Sequence, residues 1–175
     1  MEAKDKFILN TVHVVFWVIF IGLCIKSMAL LIALLVSLFV NPEGARNLYS
    51  ELDLYTLYQL DTRHYISVVS FMIVLSGLKA YIAYLVIKIF SRFDFTRPFD
   101  ANVSLLITEI SHVALRTGVV ALVANGYSDW LIKKGVAVQQ DWGSSEFLFL
   151  AGVLFIVAQV FKRGVEFQAE NELTV

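Results

Sequence analysis

The chain has 175 residues, of which 58% are hydrophobic, 14% aromatic and only 17% charged, and its mean hydropathy is +0.73. About a quarter of the residues in a soluble domain are charged, so this composition indicates a chain whose main solvent is lipid. The formal net charge of −1 is spread along the sequence without a basic block. This argues against direct nucleic-acid binding, which requires a surface that neutralises phosphates.

No pattern of residues points to catalysis or to a bound metal. Cys24 is the single cysteine, which leaves no intrachain disulfide, no paired cysteines and no cysteine-based metal site. His13 and His64 are expected on opposite sides of the membrane, which excludes a three-histidine site. The sequence contains no phosphate-binding loop, nucleophile elbow or zinc-protease motif. We therefore expect a non-enzymatic protein without cofactors.

Four apolar runs are long enough to cross a bilayer, which takes about 20 helical residues. The first ends at the Asn41-Pro42 pair and is longer than the apolar core of a signal peptide, which has about 7–15 residues. Pro98 stops the second run, and Asp100 is suited to cap the third. The sequence predicts an all-α, antiparallel four-helix transmembrane bundle in one domain, with spans at about 16–40, 65–90, 107–130 and 146–163 and a helical tail over 164–175. Residues 7–19 are expected at the interface or in one long tilted first helix.

Lysine and arginine residues near the ends of the runs indicate the orientation. Those on the side of the termini are Lys4, Lys6, Lys88, Arg92, Arg97, Lys162 and Arg163, and those on the other side are Arg46, Arg63, Lys133 and Lys134. Because basic residues accumulate on the cytoplasmic side, both termini are expected in the cytoplasm. The longer outer loop, residues 41–64, carries tyrosines that predict a segment lying on the membrane surface, either as a short helix or extended.

Six polar or ionisable residues lie inside the predicted spans, namely Lys26, Lys79, Glu109, His112, Arg116 and Gln159. Counting about 20 residues back from the interfacial Trp130 places the inner edge of the hydrocarbon near Ile110. Glu109 and His112 then lie at the inner interface, with Arg116 deeper. Since such groups usually face protein, water or each other, the six are predicted to gather in the inner half of the bundle.

Two interpretations of this polar cluster stay open. The excess of cations favours an inward-open basic cavity that admits water, an anion or an acidic segment. Alternatively, Glu109 pairs with Lys26 or Arg116 and the charges only fix the register of the helices. His112 is either a proton relay between Glu109 and Arg116 or a hydrogen-bonded interfacial histidine.

The predicted tail is acidic, because it carries Glu166, Glu170 and Glu172 and no lysine or arginine. Three roles are open for it: a cap that folds back over the basic cavity, a docking strip for a cytosolic partner, or a solvated end of the last helix.

Several stretches resemble a bacterial membrane family. They are FIGLCIK at 20–26, LKAY at 78–81, RPFD at 97–100 and the ending FKRG…ENELTV within 161–175. The family they resemble is the domain-of-unknown-function family 2975 (DUF2975), with the likeness closest to its Bacteroidetes branch. The resemblance implies four spanning helices in a bacterial inner membrane and a link to a small cytosolic helix-turn-helix regulator. It implies no catalytic or ligand residues.

Together these features predict a multi-pass membrane protein that acts through a cytoplasmic partner, by sensing or sequestering a small transcription regulator. The alternative is a small transporter or a toxin-immunity membrane protein that uses the inward-facing basic cavity. A third hypothesis, a bundle that acts by oligomerising, rests on small residues one turn apart, such as Ala29, Ala33 and Ser37 or Ala114 and Gly118, which allow close helix packing.

Overall fold

The computed structural model describes residues 3–46, 48, 53–92, 99–136, 138 and 141–172. Five α-helices and one short 3-10 helix account for most of these residues: α1 (Ala3–Phe39), the 3-10 helix (Pro42–Arg46), α2 (Tyr55–Leu60), α3 (Thr62–Arg92), α4 (Ala101–Lys133) and α5 (Ser144–Glu172). Within the described ranges, α1, α3, α4 and α5 are long and apolar enough to cross a membrane. The predicted all-α, multi-pass four-helix architecture is confirmed.

Local sequence signals define the helix ends. The Asp100 carboxylate accepts hydrogen bonds from the backbone N–H groups of Asn102 and Val103 at 2.7 and 3.1 Å, so its predicted role as the N-cap of α4 is confirmed. After α4, Gly135 adopts a φ of 86° and Gly143, just before α5, a φ of 70°, which side-chain-bearing residues rarely adopt. Pro98, expected to stop the preceding helix, lies outside the described residues.

The long helices pack in chain order, with α1 against α3, α3 against α4 and α4 against α5. In the most apolar stretch of α1 and of α5 only 11% of residues are buried, compared with 39% in α3 and 50% in α4. The two central helices therefore supply most of the buried surface. The outer helices present apolar side chains around most of their circumference, which is the surface that acyl chains solvate.

The largest buried cluster lies at one end of the bundle. We call this the loop end, because the described residues among 40–61 and 134–143 lie there, and we call the opposite end, which holds the start of α1 and the end of α5, the terminal end. The cluster joins α1, α3 and α4 with Ala45, Leu54, Leu57 and Trp142 from the covering segments. The Trp142 indole donates a hydrogen bond to Ser128 at 2.9 Å, and Ser37 and Tyr65 share a buried hydrogen bond of 2.7 Å.

The long outer loop packs onto the bundle more closely than its sequence indicates. Residues 55–60 form the helix α2, which decides between the helical and extended alternatives. Only 6% of the surface of Leu54 and 2% of that of Leu57 are exposed, and Ala45 is fully buried. The 3-10 helix packs against α1 and α2, and α2 packs against α3, so the described part of this loop is packed onto the bundle rather than only resting at a headgroup surface. The first span is likewise one continuous helix from Ala3, longer than the 16–40 segment that hydropathy defines.

Candidate functional site

Contacts between α4 and α5 determine how deep each α4 side chain lies in the membrane. The Asn125 amide donates a hydrogen bond to Ser144 at 2.8 Å, and the Ser111 hydroxyl donates one to the Ala151 carbonyl at 3.1 Å. Helix α5 begins at Ser144, and the apolar run of α5 ends before the Lys162-Arg163 pair. For antiparallel helices these contacts place the α5 run, about residues 147–161, opposite about residues 104–119 of α4.

This position differs from the one counted from Trp130. It lies about six residues, or about 9 Å of helix rise, nearer the terminal end. Trp130 belongs instead to the aromatic surface of the loop end, where its ring lies 5.4 Å from that of His64 and 3.9 Å from the Lys134 Nζ atom. Glu109, His112 and Arg116 all lie within the stretch of α4 that packs beside the apolar run of α5.

The structure does not gather the six predicted polar residues into one cavity. Glu109, His112 and Arg116 share one face of α4, as their spacing predicts, but that face is exposed, and Gln159 is exposed on α5. These four side chains therefore lie on the surface of the described part of the chain, and their gathering in an inward-open cluster stays a prediction.

The reason is that the other faces of α4 are occupied by its neighbours. Ile110 and Val113 pack toward α3, while Ser111 contacts α5 and the close approach of Leu148 fills the space beside Gly118. The face that carries the polar stripe is left exposed, together with apolar α4 residues such as Leu105 and Leu122.

Lys26 and Lys79 lie on a different side of the bundle from this stripe. The Lys79 Nζ atom sits 5.0 Å from the centre of the Phe147 ring at the start of α5, and its electrostatic neighbours are Lys26, Asp141 and Glu146. Lys79 and Tyr81 are two residues apart and so point about 200° apart around α3. Among the described residues, Lys79 and Arg116 therefore lie on different faces of the bundle.

The Glu109 carboxylate has a partner that sequence analysis missed. The Tyr81 hydroxyl, on α3, donates a hydrogen bond to Glu109 Oε1 at 2.6 Å. No ion pair within 4.0 Å joins Glu109 to Arg116 in the described part of the chain. The predicted pairing with Arg116 is therefore absent. A tyrosine inside a span, with its apolar ring and polar tip, was the available signal for this contact.

A groove between α1 and α3 opens beside this pair. Its volume is about 480 Å³, and its lining is almost entirely apolar: Phe20, Cys24, Ser27, Met28 and Leu31 from α1, and Gly77, Ala80, Tyr81 and Tyr84 from α3. Tyr84 contacts the rings of Phe20 and Tyr81, with centroid distances of 5.9 and 6.4 Å. The groove exists because α3 carries no side chain at Gly77 and only a methyl group at Ala80.

At the terminal end, α5 continues beyond the hydrocarbon as a helix. Gly164 packs so closely against Phe99 that a Cβ atom there would overlap the ring, and Phe99 also contacts Phe161 with a centroid distance of 5.6 Å. Arg163 and Glu166 form an ion pair of 3.0 Å. The predicted helical tail is therefore present through Glu172, and residues 173–175 lie outside the described residues.

A second polar group occurs at the loop end. His64 Nδ1 and the Tyr127 hydroxyl are 2.7 Å apart, and His64 Nε2 lies 3.9 Å from an Asp61 carboxylate oxygen. Within the described ranges, no three His, Cys, Asp or Glu side chains are close enough together to hold a metal ion.

No protein-family model, curated protein or solved structure matches the chain. The chemistry of these sites therefore has to be argued from their own residues.

Proposed function

We propose that the protein is a non-enzymatic member of family 2975 in a bacterial inner membrane, and that it acts by docking a basic cytosolic partner on the acidic end of α5. The partner class we propose is a small helix-turn-helix transcription regulator, which the membrane protein sequesters or releases. The observation that carries the proposal is the helical extension of α5 beyond Arg163. Nine further residues give it a length of about 13 Å outside the bilayer.

The extension has the chemistry of a docking strip. Glu166 is exposed, and Phe167 has 64% of its surface exposed. The surface with which a regulator binds DNA is basic. A helix that presents carboxylates can bind this surface in place of the DNA phosphates. Aromatic side chains, phenylalanine included, are enriched at protein interfaces relative to the rest of the surface.

The packing at the start of the extension supports the same role. The packing of Gly164 against Phe99 and of Phe99 against Phe161 ties the start of the extension to the segment that leads into α4. A strip held at a fixed angle loses less conformational entropy on binding than a loose tail does. A solvated helix end without function would not require this contact.

Affinity purification of the tagged full-length protein from native membranes, in mild detergent and at low salt, tests the proposal. We expect enrichment of a small basic DNA-binding protein, which high salt releases because the contact is electrostatic. Phe167→Ala combined with Glu166→Gln should abolish the enrichment. Glu146→Gln, an exposed carboxylate at the other end of α5, is the matched control and should retain it. Absence of such a protein, or equal recovery with the tail variant, contradicts the proposal.

A further inference from the structure

We propose that the exposed face of α4 that carries Glu109, His112 and Arg116 is a docking surface for a transmembrane helix of another protein, which places an acidic side chain beside Arg116. This inference is independent of the partner docking proposed at the terminal end, because it uses α4 and no residue of the α5 extension.

This face of α4, which we call the seam, has the geometry of a helix-packing surface. Its exposed residues recur at alternating spacings of four and three, as in Leu105, Glu109, His112, Arg116, Val119 and Val123. An average spacing of about 3.5 residues keeps one side of a helix against a second helix that supercoils around it. From Leu105 to Val123 the seam rises by about 27 Å, which is close to the thickness of the hydrocarbon. A second spanning helix can therefore contact α4 along its whole membrane stretch.

Arg116 is the permanent positive charge of the seam, and its donors are not used. The Glu109 carboxylate already accepts the hydrogen bond from the Tyr81 hydroxyl at 2.6 Å. In the part of the chain that the structure describes, Arg116 forms no hydrogen bond and no ion pair within 4.0 Å. Arginine inside a span is costly and is almost always paired. A carboxylate supplies both the opposite charge and the acceptors, since it can bind a guanidinium through two parallel hydrogen bonds.

The direction of the Arg116 side chain distinguishes this partner from a lipid phosphate. Helix α4 runs from the terminal end to the loop end, and helical side chains lean toward the N-terminus of their own helix. Arg116 accordingly acts electrostatically on Tyr81, whose hydroxyl lies at the level of Glu109. The guanidinium thus extends away from the loop-end headgroups, and residue 104, toward the terminal end, is about 18 Å of helix rise away. A counterion has to reach it from within the membrane.

The same charges argue against a second copy of this chain as the occupant. A two-fold axis along the membrane normal relates two copies inserted in one orientation, and it brings identical residues together at one depth. Arg116 would then face Arg116 of the second copy, and Glu109 would face Glu109. Charge complementarity therefore favours a different helix, with a carboxylate inside its span.

Co-purification with a model helix tests the proposal. The helix consists of about 20 leucine and alanine residues with one central glutamate, and basic residues and a fluorescent protein at its N-terminus fix its orientation. It is co-expressed in a bacterial membrane with the tagged full chain, and the fluorescence recovered with the chain in mild detergent is divided by the fluorescence of the membranes. The matched helix carries glutamine in place of the glutamate. We expect at least about threefold higher recovery of the glutamate helix, because charged hydrogen bonds are roughly twice as strong as neutral ones.

Two pairs of variants locate the site. Arg116→Leu introduces a residue that spans favour, and it should lower recovery of the glutamate helix to that of the glutamine helix. Arg63→Leu, which replaces an exposed arginine at the start of α3, is the matched control and should keep the preference. Val119→Trp places a large ring on the seam and should remove the preference. Val153→Trp is its control, because Val153 on α5 is 42% exposed and Val119 is 49% exposed.

The Val119→Trp pair keeps the test decisive even where Arg116→Leu does not fold. A glutamate preference that is lost in both site variants but kept in both controls supports the proposal. Equal recovery of the two helices from the wild-type chain overturns it, and so does a preference that persists in either folded site variant. Co-purification of two differently tagged copies of the chain that Val119→Trp abolishes also overturns it, because this result assigns the seam to self-association.

Discussion

Gly118 is the point where α4 and α5 approach most closely, so replacing it should separate the two helices. A Cβ atom at this position would lie 2.8 Å from two side-chain carbons of Leu148 and 3.0 Å from its backbone nitrogen. Real Cβ atoms essentially never lie within 3.0 Å of another atom, so the Leu148 side chain would have to move, and the backbone nitrogen at 3.0 Å is also closer than in nine of ten real Cβ contacts. Hydrogen bonds from Ser111 to Ala151 and from Asn125 to Ser144 lie on either side of this contact. Gly118→Ala should therefore strain a contact that extends along the length of both helices.

The magnitude follows from two opposing effects. Overpacking of a well-packed contact costs about 1–3 kcal/mol, while the change from glycine to alanine favours a helix by about 1 kcal/mol. Gly126 lies on the same helix, and nothing lies within 4 Å of the position of its Cβ. Gly126→Ala should therefore gain the helix propensity of alanine without any cost of overpacking. Subtracting one variant from the other isolates the packing cost, which should be about 1–3 kcal/mol.

The assay is reversible unfolding of the detergent-solubilised protein by increasing mole fractions of SDS, followed by the combined fluorescence of Trp17, Trp130 and Trp142. Gly118→Ala should unfold at a lower SDS fraction than the wild type, and Gly126→Ala at an equal or higher one. Leu148→Ala should partly restore the Gly118→Ala protein, because it removes the side-chain part of the clash but leaves the backbone nitrogen at 3.0 Å. Equal shifts for the two alanine variants would show that α4 and α5 do not pack in this register.

Three further predictions follow from other contacts. Asp100→Ala removes the two capping hydrogen bonds of α4 and should lower stability by about 0.5–2 kcal/mol in the same SDS titration, whereas Asp100→Asn should retain most of it. Trp142→Phe leaves the buried Ser128 hydroxyl without its indole donor and should cost about 1–3 kcal/mol; in a double-mutant cycle, a cost for the Ser128→Ala, Trp142→Phe pair equal to the sum of the single costs would contradict the pairing. In a cysteine-free background, Asp129→Cys should react with a membrane-impermeant maleimide on intact cells and Glu166→Cys only after lysis, and the reverse pattern would refute the cytoplasmic assignment of the termini.

Hydropathy predicts the four long helices well because lipid offers the backbone no hydrogen-bond partners, so an apolar run of spanning length has to be helical. Asp100 is predictable for a similarly local reason, since a cap depends only on the next few residues. The common face of Glu109, His112 and Arg116 follows from helical periodicity alone. None of these inferences requires knowledge of another part of the chain.

What the sequence does not predict depends on which faces of the helices meet. The small residues Ala114 and Gly118 lie on the face that α5 occupies, and this leaves the polar stripe uncovered. The sequence shows both the small residues and the charged ones, but it does not show which of these two faces of α4 packs against α5. Tyr81 is 28 residues from Glu109, and no local rule links them. Trp130 is of the residue type that anchors a span at the membrane interface. Here it lies among the aromatic residues of the loop end, beyond the end of the α5 span.

Burial along α1 is uneven, because its buried residues are confined to the last third of the helix. Its fully or nearly buried residues, Leu30, Leu34 and Ser37, all lie near the loop end, while no described side chain before them is buried. Closer to the terminal end, aromatic rings such as Phe16 and Phe20 provide its contacts with α3. The part of α1 before Leu30 is therefore held to α3 by partly exposed rings rather than by buried side chains, so substitutions there should destabilise the bundle less than substitutions at Leu30 or Leu34.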